Sequence, residues 1–239
     1  MPDSVVPSMR NLPFSLLVVA TAVAMVVAIP FLFLGTPVAQ EAAGGIAQRI
    51  FYFHVPSAVA MYLGGTVCFG ASVAFLLGET DQRDAMARAG AEVAVLFGAM
   101  VLVSGPLWAK KAWGVYWTWD PRLTTSLLSW TIYVAIVVFR RFGGEGSVER
   151  RATAAMGVLG WFLLWLVHWS VQLWGGNHPT VIGRGGGGLG DPRMGQALGL
   201  GFLAIGLLAA TLVWLRTRVY ALEARIIDVE HQTQSGEDD

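Results

Sequence analysis

Six long apolar segments constrain the fold of this chain more than any other feature. They cover about residues 14–34, 55–78, 90–109, 123–139, 152–174 and 196–215. A helix needs about 20 apolar residues to cross a bilayer. The composition agrees, because 55% of the 239 residues are hydrophobic and only 13% are charged. The sequence therefore predicts an all-α, polytopic integral membrane protein with six transmembrane helices in residues 1–218, followed by a charged tail in residues 219–239.

The distribution of basic residues predicts how these spans are oriented. Six spans place both termini on one side of the membrane. Ten of the 16 Lys and Arg residues lie on that side, and six lie on the other. Because Lys and Arg favour the cytoplasmic side, both termini and the tail are expected in the cytoplasm. The outer face then receives the segments that contain His54, Trp117 and His178.

The segment before the fourth span is unusually rich in aromatic residues. Within twelve residues it holds Trp108, Trp113, Tyr116, Trp117 and Trp119. Neither the alternation of a strand nor the spacing of a core helix explains the pattern. With its Gly, Lys and Asp-Pro, the segment is predicted to be ordered and outside the membrane. Clustered indoles offer a flat apolar platform with N–H donors at its rim, although an aromatic belt at the membrane surface is the alternative.

Asp120 and Pro121 predict where the fourth helix begins. Asp is a preferred N-cap residue, and Pro is favoured at the first helical position. We therefore interpret Asp120 as a cap that fixes the angle of the Trp-rich segment, rather than as a catalytic carboxylate.

Two histidines, His54 and His178, are predicted at the same outer face. Neutral imidazole is the commonest metal ligand among side chains, and two imidazoles on opposite faces of a porphyrin give six-coordinate iron. A His beside a Pro can equally be a capping or interfacial residue. His168 lies within the fifth span, where it is either a hydrogen-bonded bundle residue or part of the site. Five outer cations are candidates to pair with the carboxylates of a ligand: Lys110, Lys111, Arg122, Arg184 and Arg193.

Several function classes find no support in the sequence. A net charge of zero implies no nucleic-acid surface, and the single Cys68 can form neither an internal disulfide nor a Cys metal site. The segment Gly183–Gly190 lacks the Gly-Lys-Ser/Thr signature of a phosphate-binding loop, so it is interpreted as a linker. No catalytic triad or paired carboxylate is visible. The chain is therefore not expected to be an enzyme or to hydrolyse ATP by itself.

The aromatic segment also resembles a known motif. Trp113-Gly114, Trp117, Trp119-Asp120 and Arg122-Leu123-Thr124 resemble the tryptophan-rich WWD motif of haem-handling proteins. With the two flanking His segments, the chain from Arg49 to about Arg218 resembles the haem exporter protein C family. Tyr116 stands where members of that family often have a second Trp.

This resemblance implies a function and a set of partners. Haem b would be held between His54 and His178, its axial ligands. The remaining site residues would be Trp108, Trp113, Trp117, Trp119, Asp120 and Arg122. The resemblance further implies a bacterial inner membrane location, with the site on the periplasmic side. The haem would pass to a membrane-anchored haem chaperone during c-type cytochrome biogenesis. Membrane and ATPase subunits of an ATP-binding-cassette transporter and a small single-span subunit would be the other partners.

Three alternatives are weighed against this interpretation. A related haem-delivery synthetase shares the Trp motif but has more spans and a larger outer domain. A transmembrane electron-transfer cytochrome of b type requires paired His deep within its helices. A transporter with a midplane site is expected to have helices that break near the middle of the membrane.

Overall fold

The computed structural model describes residues 12–40, 44–144, 146–176, 178 and 189–237. Six helices dominate this part of the chain: α1 (Leu12–Pro30), α2 (Phe51–Leu77), α3 (Asp81–Trp113), α4 (Pro121–Phe142), α5 (Ser147–Trp174) and α6 (Pro192–Glu237). A π-helical turn, Phe31–Gly35, extends α1, and a 3-10 helix, Gly45–Ile50, precedes α2. All six helices are long and apolar enough to cross a membrane. The predicted all-α, polytopic membrane fold is thus confirmed.

Paired glycines bring α2 and α3 into close contact. A Cβ atom on Gly64 would lie 2.7 Å from the backbone nitrogen of Ala94, and one on Gly90 would lie 2.5 Å from that of Cys68. Small residues of this kind allow membrane helices to approach each other closely. Gly201 does the same for α6, since its Cβ would lie 2.1 Å from the carbonyl oxygen of Tyr52. Helix α2 is therefore packed between α3 and α6.

The core of the bundle contains side chains from five helices. Cys68, Phe97, Tyr133 and Leu164 are each almost completely buried there. The Tyr62 hydroxyl donates a hydrogen bond to the Leu164 carbonyl at 2.8 Å, which joins α2 to α5. Cys68 is thus a small buried core residue. This packing fixes the positions of the helix ends that surround the cavity described below.

Two helices extend further than the apolar segments predict. Helix α3 continues to Trp113, so the first part of the Trp-rich segment is helical. It ends where Gly114 adopts a φ of +78° and where Lys110 Nζ donates to the Gly114 carbonyl at 2.8 Å. A left-handed glycine is a common helix terminator. Helix α6 continues to Glu237 and so includes most of the predicted charged tail, residues 219–239.

Candidate functional site

One cavity lies at the end of the bundle where α3 ends and α4 begins. Its volume is about 400 Å³, which is within the range of small-molecule sites. Six of the eight predicted site residues line it: His54, Trp108, Trp113, Trp117, Arg122 and His178. Much of the remaining wall is apolar, with contributions from Val55, Leu102 and Leu123. Segments more than 100 residues apart in sequence therefore meet at a single aromatic cavity.

The geometry around His54 determines which of its ring nitrogens carries the proton. His54 lies in the first turn of α2, and its Nδ1 is 2.8 Å from Ser104 Oγ on α3. The Ser104 hydroxyl donates its proton to the Met100 carbonyl at 2.5 Å. Because a hydroxyl has only one proton, Ser104 Oγ must accept a hydrogen bond from His54 Nδ1–H. The neutral imidazole of His54 then keeps a lone pair on Nε2.

Close packing reinforces the orientation of this imidazole. Gly105 follows Ser104 on α3, and a Cβ atom at Gly105 would lie 3.3 Å from His54 Cε1. The ring therefore lies directly against the α3 backbone. Ser104 is only 4% exposed, so water does not compete for its hydroxyl. His54 is held in one ring orientation and in one tautomer by its neighbours on α3.

His178 has the opposite hydrogen-bonding arrangement. Arg122 Nη1 lies 3.3 Å from His178 Nδ1, and a guanidinium can only donate. The Nδ1 atom of His178 is therefore an acceptor, which places the proton of the neutral ring on Nε2. Arg122 Nη2 also donates to the His168 carbonyl at 3.1 Å. One arginine at the start of α4 thus ties the end of α5 to the segment that carries His178.

The indoles at the cavity are arranged edge to face. The ring centroids of Trp108 and Trp113 are 5.7 Å apart, and those of Trp117 and Trp119 are 5.8 Å apart. Within the part of the chain that the structure describes, Trp117 Nε1 and Arg122 Nε are buried without a hydrogen-bond partner. Such donors are costly to leave unsatisfied. A bound ligand that carries acceptor groups would satisfy them.

Two predicted site residues do not line the cavity. Trp119 is 77% exposed, whereas Trp108, Trp113 and Trp117 line the cavity. Asp120 is the N-cap of α4, since its Oδ1 accepts from the Arg122 backbone N–H at 2.9 Å, and the predicted cap is confirmed. A Cβ atom on Gly176 would lie 2.4 Å from Asp120 Oδ2. Asp120 therefore positions Arg122 and the segment after α5.

Most of the predicted cationic partners lie elsewhere. Arg122 lines the cavity, whereas Lys110 bonds to Gly114 and Arg193 pairs with Asp191 at 3.1 Å. Arg184 and residues 183–188 of the predicted glycine linker lie outside the described residues. Among the predicted cations that the structure describes, which are Lys110, Lys111, Arg122 and Arg193, Arg122 is the one that lines the cavity and can meet an anionic group there.

Comparison with known proteins shows the family to which the chain belongs. A sequence model of the heme exporter protein C family matches residues 3–233 of the chain. This chain belongs to the heme exporter protein C family. Its relatives with this name include one from Bradyrhizobium diazoefficiens, 31% identical over 75% of this chain and 71% of the relative. Another, from Escherichia coli K12, is 29% identical over 73% of this chain and 70% of the relative.

A further relative, matched over a shorter part of the chain, has a different name. A Marchantia polymorpha protein, named as a ccmC-like mitochondrial protein of cytochrome c biosynthesis, is 35% identical over 42% of this chain and 44% of its own length. The family resemblance inferred from the Trp motif is therefore confirmed.

The sequence gives little indication of two further residues at this cavity. Ser104 and Gly105 lie in an apolar span, and their contact with His54 crosses 50 residues of sequence. The sequence signal is limited to a polar Ser beside Gly and Pro within that span. His168, for which the sequence left two interpretations open, lines the cavity and accepts a bond from Arg122 through its carbonyl.

Proposed function

We propose that the cavity binds haem and that the protein hands this haem on during the maturation of c-type cytochromes. The observation that carries the proposal is the meeting of His54 and His178 at one aromatic cavity together with Arg122. The names of the relatives support it, because they refer to haem export and to cytochrome c biosynthesis. Haem supplies an iron that accepts two axial nitrogen ligands.

The residues of the cavity fit such a ligand. His54 offers an Nε2 lone pair, and its Nδ1–H is already bonded to Ser104. Metal-binding histidines usually donate their second ring N–H to such a partner. The indoles of Trp108, Trp113 and Trp117 provide flat apolar surfaces. The buried Nε of Arg122 provides a donor for a propionate.

His178 requires one rearrangement before it can act as a ligand through Nε2. When neutral His178 binds a metal through Nε2, its ring proton is on Nδ1. A protonated Nδ1 cannot accept a hydrogen bond from Arg122. A carboxylate is a stronger acceptor for a guanidinium than a neutral imidazole. We therefore propose that Arg122 exchanges His178 Nδ1 for a propionate, so that the release of His178 is coupled to ligand entry.

The exposed part of the aromatic segment is proposed to face the partner that receives haem. Tyr116 is 56% exposed and Trp119 is 77% exposed, and both follow α3 directly. We propose a membrane-anchored haem chaperone as the recipient, with an ATP-binding-cassette transporter and a small single-span subunit as further partners. The site serves binding and transfer of haem, and none of its residues is assigned a catalytic role.

The two indoles of the Trp117–Trp119 pair are expected to have separable effects. Losing one aromatic contact removes about 0.5–1.5 kcal/mol beyond the buried area, so Trp117→Ala should weaken haem binding by roughly threefold to tenfold. Trp119→Ala should keep haem binding and reduce covalent haem on the chaperone, because Trp119 lies outside the cavity. Haem titration and chaperone loading are measured in parallel, at matched membrane expression. Equal haem affinity in wild type and Trp117→Ala would show that this indole is only part of an interfacial belt.

The proposed orientation can be tested by cysteine labelling in intact cells. Val115 and Ser147 are both exposed and lie at opposite ends of the bundle. Because the basic residues predict an outer location for Val115, Val115→Cys should react with a membrane-impermeant maleimide, and Ser147→Cys should not. The native Cys68 is only 1% exposed, so labelling of the unsubstituted protein measures the background signal. Labelling of Ser147→Cys alone would reverse the orientation and the direction of haem delivery.

A further inference from the structure

A second cavity, of about 270 Å³, lies at the opposite end of the bundle between α3, α4 and α6. Its lining includes four arginines and two glutamates, which gives an excess of two formal positive charges. These residues are Arg88, Arg140, Arg141, Arg216, Glu92 and Glu223. Nothing in the proposed haem function uses this cavity. Its charge predicts an affinity for anions.

The position of the arginines relative to the apolar segments places this cavity at the membrane surface. Arg88 precedes the segment at about 90–109, Arg140 follows the segment at about 123–139, and Arg216 follows the segment at about 196–215. Three helices thus bring cations to the level where their apolar stretches end. Ile136 and Val137 line the same cavity one turn further into the apolar part of α4. The cavity therefore has a cationic side and an apolar side.

The cationic walls are held in place by contacts between helices. Arg216 Nη2 donates to Glu92 Oε1 at 3.0 Å and to the Tyr220 hydroxyl at 2.8 Å. The Arg88 guanidinium lies 3.9 Å from the centre of the Tyr220 ring. Arg140 is 4% exposed and donates to Asp84 at 2.7 Å. These contacts join α6 to α3 and α3 to α4, so the cavity is built before a ligand arrives.

Arg141 differs from these arginines. Its side chain is exposed at the edge of the cavity, and it has no ion-pair partner within residues 12–40, 44–144, 146–176 and 189–237. Guanidinium groups bind phosphate oxygens through two parallel hydrogen bonds. Arg141 can therefore give its donors to a ligand without breaking an existing ion pair.

We propose that this cavity binds the phosphate group of an anionic phospholipid, with an acyl chain along the partly exposed Val137. Basic pockets between transmembrane helices are suited to anionic headgroups. The apolar wall favours a lipid over free phosphate, because free phosphate gains nothing from it. The ligand would fill the space between α3, α4 and α6 at the end of the bundle opposite to the haem cavity. The proposal does not depend on the haem function.

Native mass spectrometry of the purified full-length protein in detergent tests this proposal. The probes are phosphatidylglycerol, phosphatidylcholine and inorganic phosphate, each added separately. Wild type should retain one phosphatidylglycerol in preference to phosphatidylcholine. Arg88→Gln/Arg141→Gln should weaken phosphatidylglycerol binding by roughly tenfold to thirtyfold, given the usual contribution of a basic residue near an anionic lipid. Arg141→Gln alone should weaken it by about fivefold, and it changes an exposed residue that supports no helix contact.

The matched control is Arg151→Gln/Arg225→Gln, which removes two exposed arginines at the same end of the bundle but outside the cavity. This control should bind phosphatidylglycerol as wild type does. Equal retention of the two lipids by wild type would overturn the proposal. The proposal would also be overturned if Arg141→Gln and Arg88→Gln/Arg141→Gln both bound phosphatidylglycerol as tightly as wild type. Retention of inorganic phosphate with no preference for phosphatidylglycerol would show that the cavity takes a free anion, which also contradicts the lipid assignment.

Discussion

Replacing either His54 or His178 with Ala is expected to remove most of the bound haem. Loss of a partner that only orients a metal ligand usually costs about 10–100-fold in affinity, and loss of the ligand itself should cost more. The remaining haem should lose its six-coordinate, low-spin absorption spectrum, because one axial position is vacated. The measurement is haem content and spectrum after purification at matched expression.

Two controls make the histidine experiment specific. His231→Ala, in the C-terminal tail, should leave haem content and spectrum unchanged. Added imidazole should restore the six-coordinate spectrum in His54→Ala, because removal of the ring leaves space beside Gly105 within the cavity. Should both single variants keep the wild-type spectrum and haem content, the ligand assignment would be wrong.

Ser104→Ala is expected to have the second largest effect. The substitution removes the acceptor that holds the proton on His54 Nδ1, so the ring can exchange tautomers and rotate. Haem affinity should fall by about 10–100-fold, as for other partners that orient a metal ligand. Ser104→Thr keeps the hydroxyl and should restore most of the affinity. Haem titration of the purified variants measures both effects.

A readout without haem separates an orienting role from a purely structural one. In haem-free wild type labelled with ¹⁵N-histidine, the His54 Nε2 resonance should have the chemical shift of an unprotonated nitrogen. In Ser104→Ala the His54 Nε2 resonance should move towards the averaged chemical shift of a ring that exchanges between its two neutral tautomers. Ser126→Ala is the matched control, since Ser126 lines the same cavity and should leave the His54 resonances unchanged. Identical tautomer populations in wild type and Ser104→Ala would refute this role of Ser104.

The sequence predicted the elements of the fold because those depend on local signals. Six apolar segments of sufficient length predicted six helices, and Asp120 followed by Pro121 predicted the start of α4 correctly. Counting the spans also predicted that His54 and His178 reach the same end of the bundle. Each of these inferences uses only the order of residues and the thickness of a bilayer.

Details of the site depended on how the helices rotate and pack, which local signals do not specify. The contact of His54 with Ser104 follows from the close approach of α2 and α3, which Gly64 and Gly90 allow. Trp119 was predicted as part of the platform, yet it lies on the exposed side of the loop that follows Trp117. Residues two apart in an irregular segment have no fixed relation to each other, so the sequence could not separate their roles.

The account depends most directly on bis-histidine ligation of haem in this cavity. The decisive measurement is the absorption and electron paramagnetic resonance spectrum of the purified wild-type protein after haem supplementation. The account predicts a Soret band with one haem per chain and a low-spin, six-coordinate signal typical of two imidazole ligands. Absence of a Soret band, or a high-spin signal that is the same in wild type, His54→Ala and His178→Ala, would contradict it.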